Sequence, residues 1–202
     1  TILIEKDKGS PIVVLAAIFQ HSPLIIITKK GSGIDNPHNL INKKIMMSKF
    51  TDAETVSMFI NEGLPIDSFT LVPHSWDLND LIYDRVQALT AYIVNEPYKF
   101  QKLNVPINII KPINYGIDFY GDCLYTTRDE IRKNPDRVDA FLSASKKGWE
   151  YAFLNQEEII DLIVSKYSSK KTKDELRYEA HEMEKLILPD LVEIGHMNPN
   201  RW

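Results

Sequence analysis

Ala88-Leu89-Thr90-Ala91-Tyr92-Ile93-Val94 runs directly into Asn95-Glu96-Pro97-Tyr98. The seven-residue apolar run reads as a buried strand. Pro97 suits the first turn of a following helix, where its missing N–H costs nothing. Asn95 is placed to cap that helix, and Glu96 to sit at its positive end. A strand feeding a helix in this way is the building unit of an open α/β sheet, in which ligands bind beyond the carboxyl ends of the strands. A carboxylate beside an amide there matches an amidine-like or amino-heterocyclic edge, Glu accepting and Asn both donating and accepting. The same two residues also read as a capping pair with no ligand, and this stretch alone leaves both readings open.

Outward from this junction, strands and helices alternate. Residues 11–17, 24–28, 44–48, 69–73, 108–113 and 123–126 are short apolar runs that predict strands. Between the first two, Ile18-Phe19-Gln20-His21-Ser22-Pro23 is a polar break where the backbone must turn or bulge. Helices are predicted over 37–42, 51–62, 77–83 and 97–103. The 51–62 helix carries Asp52 and Glu54 in its first turn, and Gly63 closes it. Asp52 is expected to face a cleft, with Glu54 supporting the helix end. From Arg128 onward the pattern is helical throughout, over 128–133, 135–154, 157–167 and 173–188. Alternation followed by helices alone predicts one α/β lobe plus the helical flank of a second.

Composition narrows the function classes. With 202 residues, 44% hydrophobic and 26% charged, the chain is an ordinary globular protein. Its net charge of −4 is spread over both signs, so nucleic-acid binding gains no support. The lysines of 166–173 flank Ser168-Ser169 and read as a solvated loop between helices. One cysteine, Cys123, excludes an intrachain disulfide framework and a cysteine-rich metal site. The apolar stretch 11–19 is too short to span a bilayer. Thr1 to Gly9 resembles the tail of a helix with its glycine stop, and 198–202 stops at the Asn-Pro of a helix entry, so the chain reads as a piece trimmed at both ends.

Catalytic signals are weak. The eight glycines form neither GxGxxG nor GxxxxGK, and no Gly-x-Ser-x-Gly elbow occurs. None of His21, His38, His74, His181 and His196 stands at metal-ligand spacing from another, so no metal site is expected. Cys123 reads as a small packed side chain on a strand. Glu96 with His21 is the one pair that an enzyme could use as acid and base. Polar residues instead gather after strands: Gln20-His21-Ser22, Lys49-Phe50-Thr51-Asp52, His74-Ser75-Trp76-Asp77, Asn95-Glu96, and the aromatic, acidic loop 114–122 with its two glycines. Aromatics with a few placed polar groups are what a small-molecule cleft requires.

Four separated motifs, 17–23, 92–98, 115–122 and 188–199, together resemble the ABC-transporter substrate-binding proteins of the thiamine-pyrimidine type, the NMT-like family. Within it, the chain is most similar to the extracytoplasmic sensor branch of bacterial signalling proteins. The resemblance implies a type II periplasmic-binding fold, two α/β lobes joined by a hinge and closing on a ligand, with the first lobe incomplete in this chain. The division expected is 1–33 as part of lobe 1, 34–114 as lobe 2, and 115–202 as hinge return and the helical part of lobe 1. The hinge is expected at 28–33 and 116–123. The expected ligand contacts are Gln20, His21, Ser22, Phe50, Asp52, His74, Asn95, Glu96, Tyr120 and Asp122. The implied partners are a small, pyrimidine-like or amine-containing molecule and, outside the cytoplasm, an ABC permease or a membrane signalling module. No cofactor is implied. Pyrimidine-synthesis enzymes share the fold, but their cysteine-rich, iron-associated motif is absent from this sequence, which favours a binder over an enzyme.

Overall fold

In the computed structural model, which describes residues 2–48 and 52–201, the apolar runs become strands whose alternate side chains enter opposite layers. In chain order the elements are α1 (Ile2–Asp7), β1 (Ile12–Ala17), β2 (Leu24–Lys29), β3 (Lys44–Met47), α2 (Ala53–Asn61), β4 (Thr70–Pro73), α3 (Asn79–Ile82), β5 (Ala88–Tyr92), α4 (Glu96–Lys102), β6 (Ile107–Ile110), β7 (Cys123–Thr127), α5 (Arg128–Lys133), α6 (Pro135–Leu154), α7 (Gln156–Leu162) and α8 (Lys173–Ile187). They divide into two compact units, Thr1–Ser22 with Phe119–Trp202, and Pro23–Asp118.

The Pro23–Asp118 unit is built on a five-stranded sheet in the order β4-β3-β5-β2-β6. β3 runs parallel to β4 and β5, whereas β2 is antiparallel to β5 and β6. Ile26, Ile45, Met47, Ala88 and Ile110 pack on one face against Met58 and Phe59 of α2, with Leu40, Leu64 and Phe69 closing the layer. Ile25, Ile27, Met46, Leu89 and Ala91 pack on the other face against Leu81 of α3 and Phe100 of α4. One apolar residue after another in a strand is thus explained by helices covering both faces. β5 ends at Tyr92 rather than Val94, because the Ile93 N–H donates to the Pro23 carbonyl and the chain then turns into α4. β6 stops at Ile110, since Pro112 opens a single 3-10 turn, Pro112–Tyr115.

The unit boundary differs from the expected one. β2 was assigned by sequence to the first lobe, yet it pairs along both edges inside the five-stranded sheet and fills both cores. The division therefore falls at Ser22/Pro23 and Asp118/Phe119 instead of at Gly33 and Asn114. The 28–33 segment expected as hinge is a tight turn within the unit: the Thr28 hydroxyl donates to the Ile34 carbonyl, and Gly31 and Gly33 take positive φ.

The other unit holds a two-stranded antiparallel ribbon, β1 with β7, irregular between Val14 and Ala16. Its core is smaller: Ala16, Ile18, Phe19, Ile187 and Ile194, with Leu142, Trp149, Phe153 and Met183 packed around them. Gly121 is demanded by close approach, because a Cβ there would stand 2.7 Å from that of Phe19. α7 continues into a π-helical turn, Ile163–Tyr167, where one long helix, 157–167, was expected. Thr172 then caps α8 by accepting the Glu175 N–H.

Candidate functional site

β3, β4 and β5 point the same way, so the residues after Met47, Pro73 and Tyr92 emerge at one edge of the sheet. There they line a cavity of about 300 Å³ whose walls include Ser48, Asp52, His74, Trp76, Thr90, Tyr92, Asn95, Glu96 and Lys99. A crevice at the carboxyl ends of parallel strands is where open α/β sheets bind ligands. The volume stands at the lower end for small-molecule sites, a size for one ring rather than several.

Asp52 precedes α2 and is 4% exposed. Its Oδ2 accepts the Ser48 N–H at 2.6 Å and the Thr90 hydroxyl at 2.8 Å. The side chain makes no capping bond to α2, so the carboxylate serves the cavity wall instead of the helix end. A buried carboxylate is tolerable because its Oδ2 accepts two hydrogen bonds. Thr90 is the single polar residue in the Ala88–Tyr92 strand, and its carbonyl accepts from His74 Nε2 at 2.8 Å. His74 Nδ1 accepts the Trp76 N–H at 3.0 Å. Those two bonds assign the neutral Nε2–H tautomer, since Nδ1 accepts while only a protonated Nε2 can donate to a carbonyl.

Glu96 opens α4, as expected, and Pro97 follows in its first turn. One carboxylate oxygen reaches back to accept the Tyr92 N–H at 3.0 Å, and the other stands 3.5 Å from Lys99 Nζ. Asn95 occupies the N-cap position with φ −125° and ψ −71°, and its side chain makes no capping hydrogen bond to α4. The capping expected of Asn95 is therefore not what holds this junction; Glu96 does so through Tyr92.

Of the expected ligand residues, Asp52, His74, Asn95 and Glu96 come together in this cavity. Phe50 lies outside the described residues. The remaining five belong to the other unit. Gln20 is buried: its side-chain Nε2 donates to the carbonyls of Ala17 and His196, and its backbone carbonyl accepts from the Arg201 guanidinium. The Tyr120 hydroxyl accepts the Asn198 N–H, and the Arg201 guanidinium lies 4.1 Å over its ring. The Asp122 carbonyl accepts the N–H groups of Ile18 and Phe19, and burial raises its carboxyl above the usual range. The His21 N–H is within reach of the Leu186 carbonyl at 3.3 Å, and Ser22 closes this segment. Gln20 and Tyr120 thus bond to backbone of their own unit, Gln20 to Ala17 and His196 and Tyr120 to Asn198. The expected ligand contacts left out Trp76, Thr90 and Lys99, although Trp76 stood in the 74–77 segment singled out after its strand; a lone threonine inside an apolar strand was the legible signal for Thr90.

Chemistry elsewhere is spare. Burial, then Asp122, pushes the Cys123 thiol up to about 11, leaving it protonated at neutral pH. Among the described residues no group of three or more His, Cys, Asp or Glu could hold a metal ion. A larger cavity of about 480 Å³ lies among α6, α7 and α8, but Trp149, Phe153, Ile160, Leu176 and Met183 make it apolar, and its carboxylate, Glu179, is paired with Lys171 at 2.6 Å. No helix of the described residues is long and apolar enough to cross a membrane.

The sequence profile of the family described as NMT1/THI5 like matches residues 1–159. No curated protein is matched by this chain. Solved structures with a similar fold include the periplasmic aliphatic sulphonate binding protein SsuA from Escherichia coli, with TM-score 0.69 and 12% identity over 90% of this chain and 62% of that one. The periplasmic sulfonate-binding protein SsuA from Methylobacillus flagellatus KT gives 0.64 and 17% over 88% and 54%. The alkanesulfonate-binding protein SsuA from Xanthomonas axonopodis pv. citri, bound to MOPS, gives 0.62 and 13% over 89% and 62%. The chain thus spans 54–62% of the length of these three structures. At such identities the likeness is one of fold, the α/β fold of periplasmic binding proteins.

Proposed function

This chain belongs to the NMT1/THI5-like family, and from that premise we propose that it captures a small, amine-containing or pyrimidine-like ligand outside the cytoplasm, as the solute-binding component of an ABC importer. The observation that carries the reading is the convergence of Asp52, His74, Asn95 and Glu96 on one cavity past three parallel strands. Two carboxylates facing one cavity, with a neutral imidazole and one lysine, favour a ligand that donates N–H bonds. Binding is the activity this reading assigns, supported by the solute-binding proteins among the similar folds and by Asp52, whose Oδ2 is held by the Thr90 hydroxyl and the Ser48 N–H. A sensor output in place of import rests on the joint resemblance of the 17–23, 92–98, 115–122 and 188–199 motifs to the sensor branch and uses the same capture step. Native mass spectrometry of the protein purified gently from its own host tests the proposal. A bound small molecule that is retained unchanged, and is lost from Glu96→Gln protein, is the expected result. A ligand-free protein whose melting temperature no amine or pyrimidine raises would count against it.

A further inference from the structure

α6 carries a glycine that its own packing does not require. Gly148 stands in the interior of the 20-residue helix Pro135–Leu154, where glycine weakens a helix relative to alanine. Its φ is not positive, and a Cβ there would meet no atom within 4 Å. What the missing side chain leaves is space: Gly148 lines the cavity of about 480 Å³ among α6, α7 and α8, and so does Ala180 on the facing helix. The walls of that space are already in place. Trp149 and Phe153 stack with centroids 6.2 Å apart and planes 22° apart, and Phe19 of the unit's core meets Trp149 edge to face. Ile160 and Leu176, both buried, join them in the lining. Ile163 also lines the cavity, and it opens the π-helical turn Ile163–Tyr167, a departure from regular winding that is frequent at functional sites.

We infer that this cavity is a second ligand site, for one uncharged, mainly apolar small molecule. It lies wholly in the unit of Thr1–Ser22 and Phe119–Trp202 and owes nothing to the cavity past β3, β4 and β5. Its volume is within the range of small-molecule sites. The lining residues come from 145–153, 156–163 and 176–183, about two turns from each helical segment, which bounds a compact space rather than a long groove. Charge on the ligand is disfavoured by the wall itself. Glu179 is the charged residue of the lining, and Lys171 already neutralises it at 2.6 Å. A ligand charge brought there would lose its water without gaining a new partner. Ser145 and Gln156 add a hydroxyl and an amide to the lining, enough to match one polar group on an otherwise apolar molecule.

Fluorescence titration of the full chain with two probes of one skeleton tests this: N-phenyl-1-naphthylamine, which is uncharged, and 1-anilinonaphthalene-8-sulfonate, which carries a charge. The wild type is expected to bind one uncharged probe per chain, at least tenfold more tightly than the sulfonate, with energy transfer from tryptophan. Gly148→Ala, which adds one methyl group in open space, should stay within about threefold. Gly148→Leu should lose at least tenfold, with a melting temperature no lower than that of the wild type, so that the loss is one of space and not of folding. Ala180→Leu, which intrudes from α8, should lose affinity likewise and guards against a single poorly folding variant. Equal binding of the two probes, no saturable binding of the uncharged one, or binding that both leucine variants leave unchanged would overturn the proposal. So would a dimer, seen by light scattering, that Gly148→Leu dissociates and the uncharged probe does not, since the face would then belong to a second copy of the chain.

Discussion

Asp52 and Gln20 are buried to the same degree, 4% and 5% exposed, and each follows a strand, yet they are used in opposite ways. Asp52 sits past β3 in a sheet whose parallel neighbours all end at the same edge, so the chain leaves a crevice there. Gln20 sits past β1 in a two-stranded antiparallel ribbon, where Ala17 and the 186–201 segment share its hydrogen bonds. A polar residue at a strand end becomes available to a ligand only where several strands end together. The two units differ in packing for a related reason. The five-stranded sheet is covered on both faces and has two full cores, whereas the ribbon supports one small core among helices.

The largest effect that tests this contrast is in packing. Phe59→Ala, fully buried beneath the five-stranded sheet, should destabilise its unit by about 3–5 kcal/mol. Phe153→Ala, only partly buried in the ribbon unit, should cost less than about 2 kcal/mol. Urea denaturation of the two variants measures both, and equal losses would erase the distinction. Next in size, Glu96→Gln should weaken an amine-bearing ligand by about 1.5–3 kcal/mol, the scale of a charged hydrogen bond. Its melting temperature should barely move, because the amide oxygen can still accept the Tyr92 N–H. Gln20→Ala should reverse that pattern, losing about 1–2 kcal/mol of stability with unchanged ligand affinity. A loss of affinity in that variant would return Gln20 to the site.

The smallest effect concerns acid. The Ser75 hydroxyl, and then Arg85, hold the Asp80 carboxyl below the usual carboxylate range. Its folded-state value is lowered, so its contribution is present above the ordinary carboxylate value and is lost as pH falls through the lowered one. Asp80→Asn should therefore flatten a shallow acid limb in a thermal-melt titration, by little, since the Arg85 side chain is largely exposed and solvent screens the pair. An unchanged acid limb would show that the 74–80 turn draws nothing from this ion pair.

Local sequence determined most of the elements. Apolar runs of strand length, Pro at helix starts and Thr172 before a charged amphipathic segment require only near neighbours, so β1 to β5, β7, α5, α6 and α8 were legible within a residue or two, while β6 ends three residues before the expected 113. The junction at 92–98 was legible for the same reason, and with it Glu96. What the tertiary structure alone decided is which strands stand side by side. An apolar run such as Leu24–Lys29 carries no mark of its neighbours, since every face it could present is equally apolar. Only pairing with β5 and β6 places it in the five-stranded sheet and moves the boundary to Ser22/Pro23. The same pairing decides which strand ends converge, and hence that Asp52, His74 and Glu96 share a cavity with Trp76 while Gln20 and Tyr120 bind the backbone of their own unit. Hydrogen-bond partners separated by tens of residues are settled by the packed sheet, because a polar group bonds whatever the fold brings within about 3 Å of it.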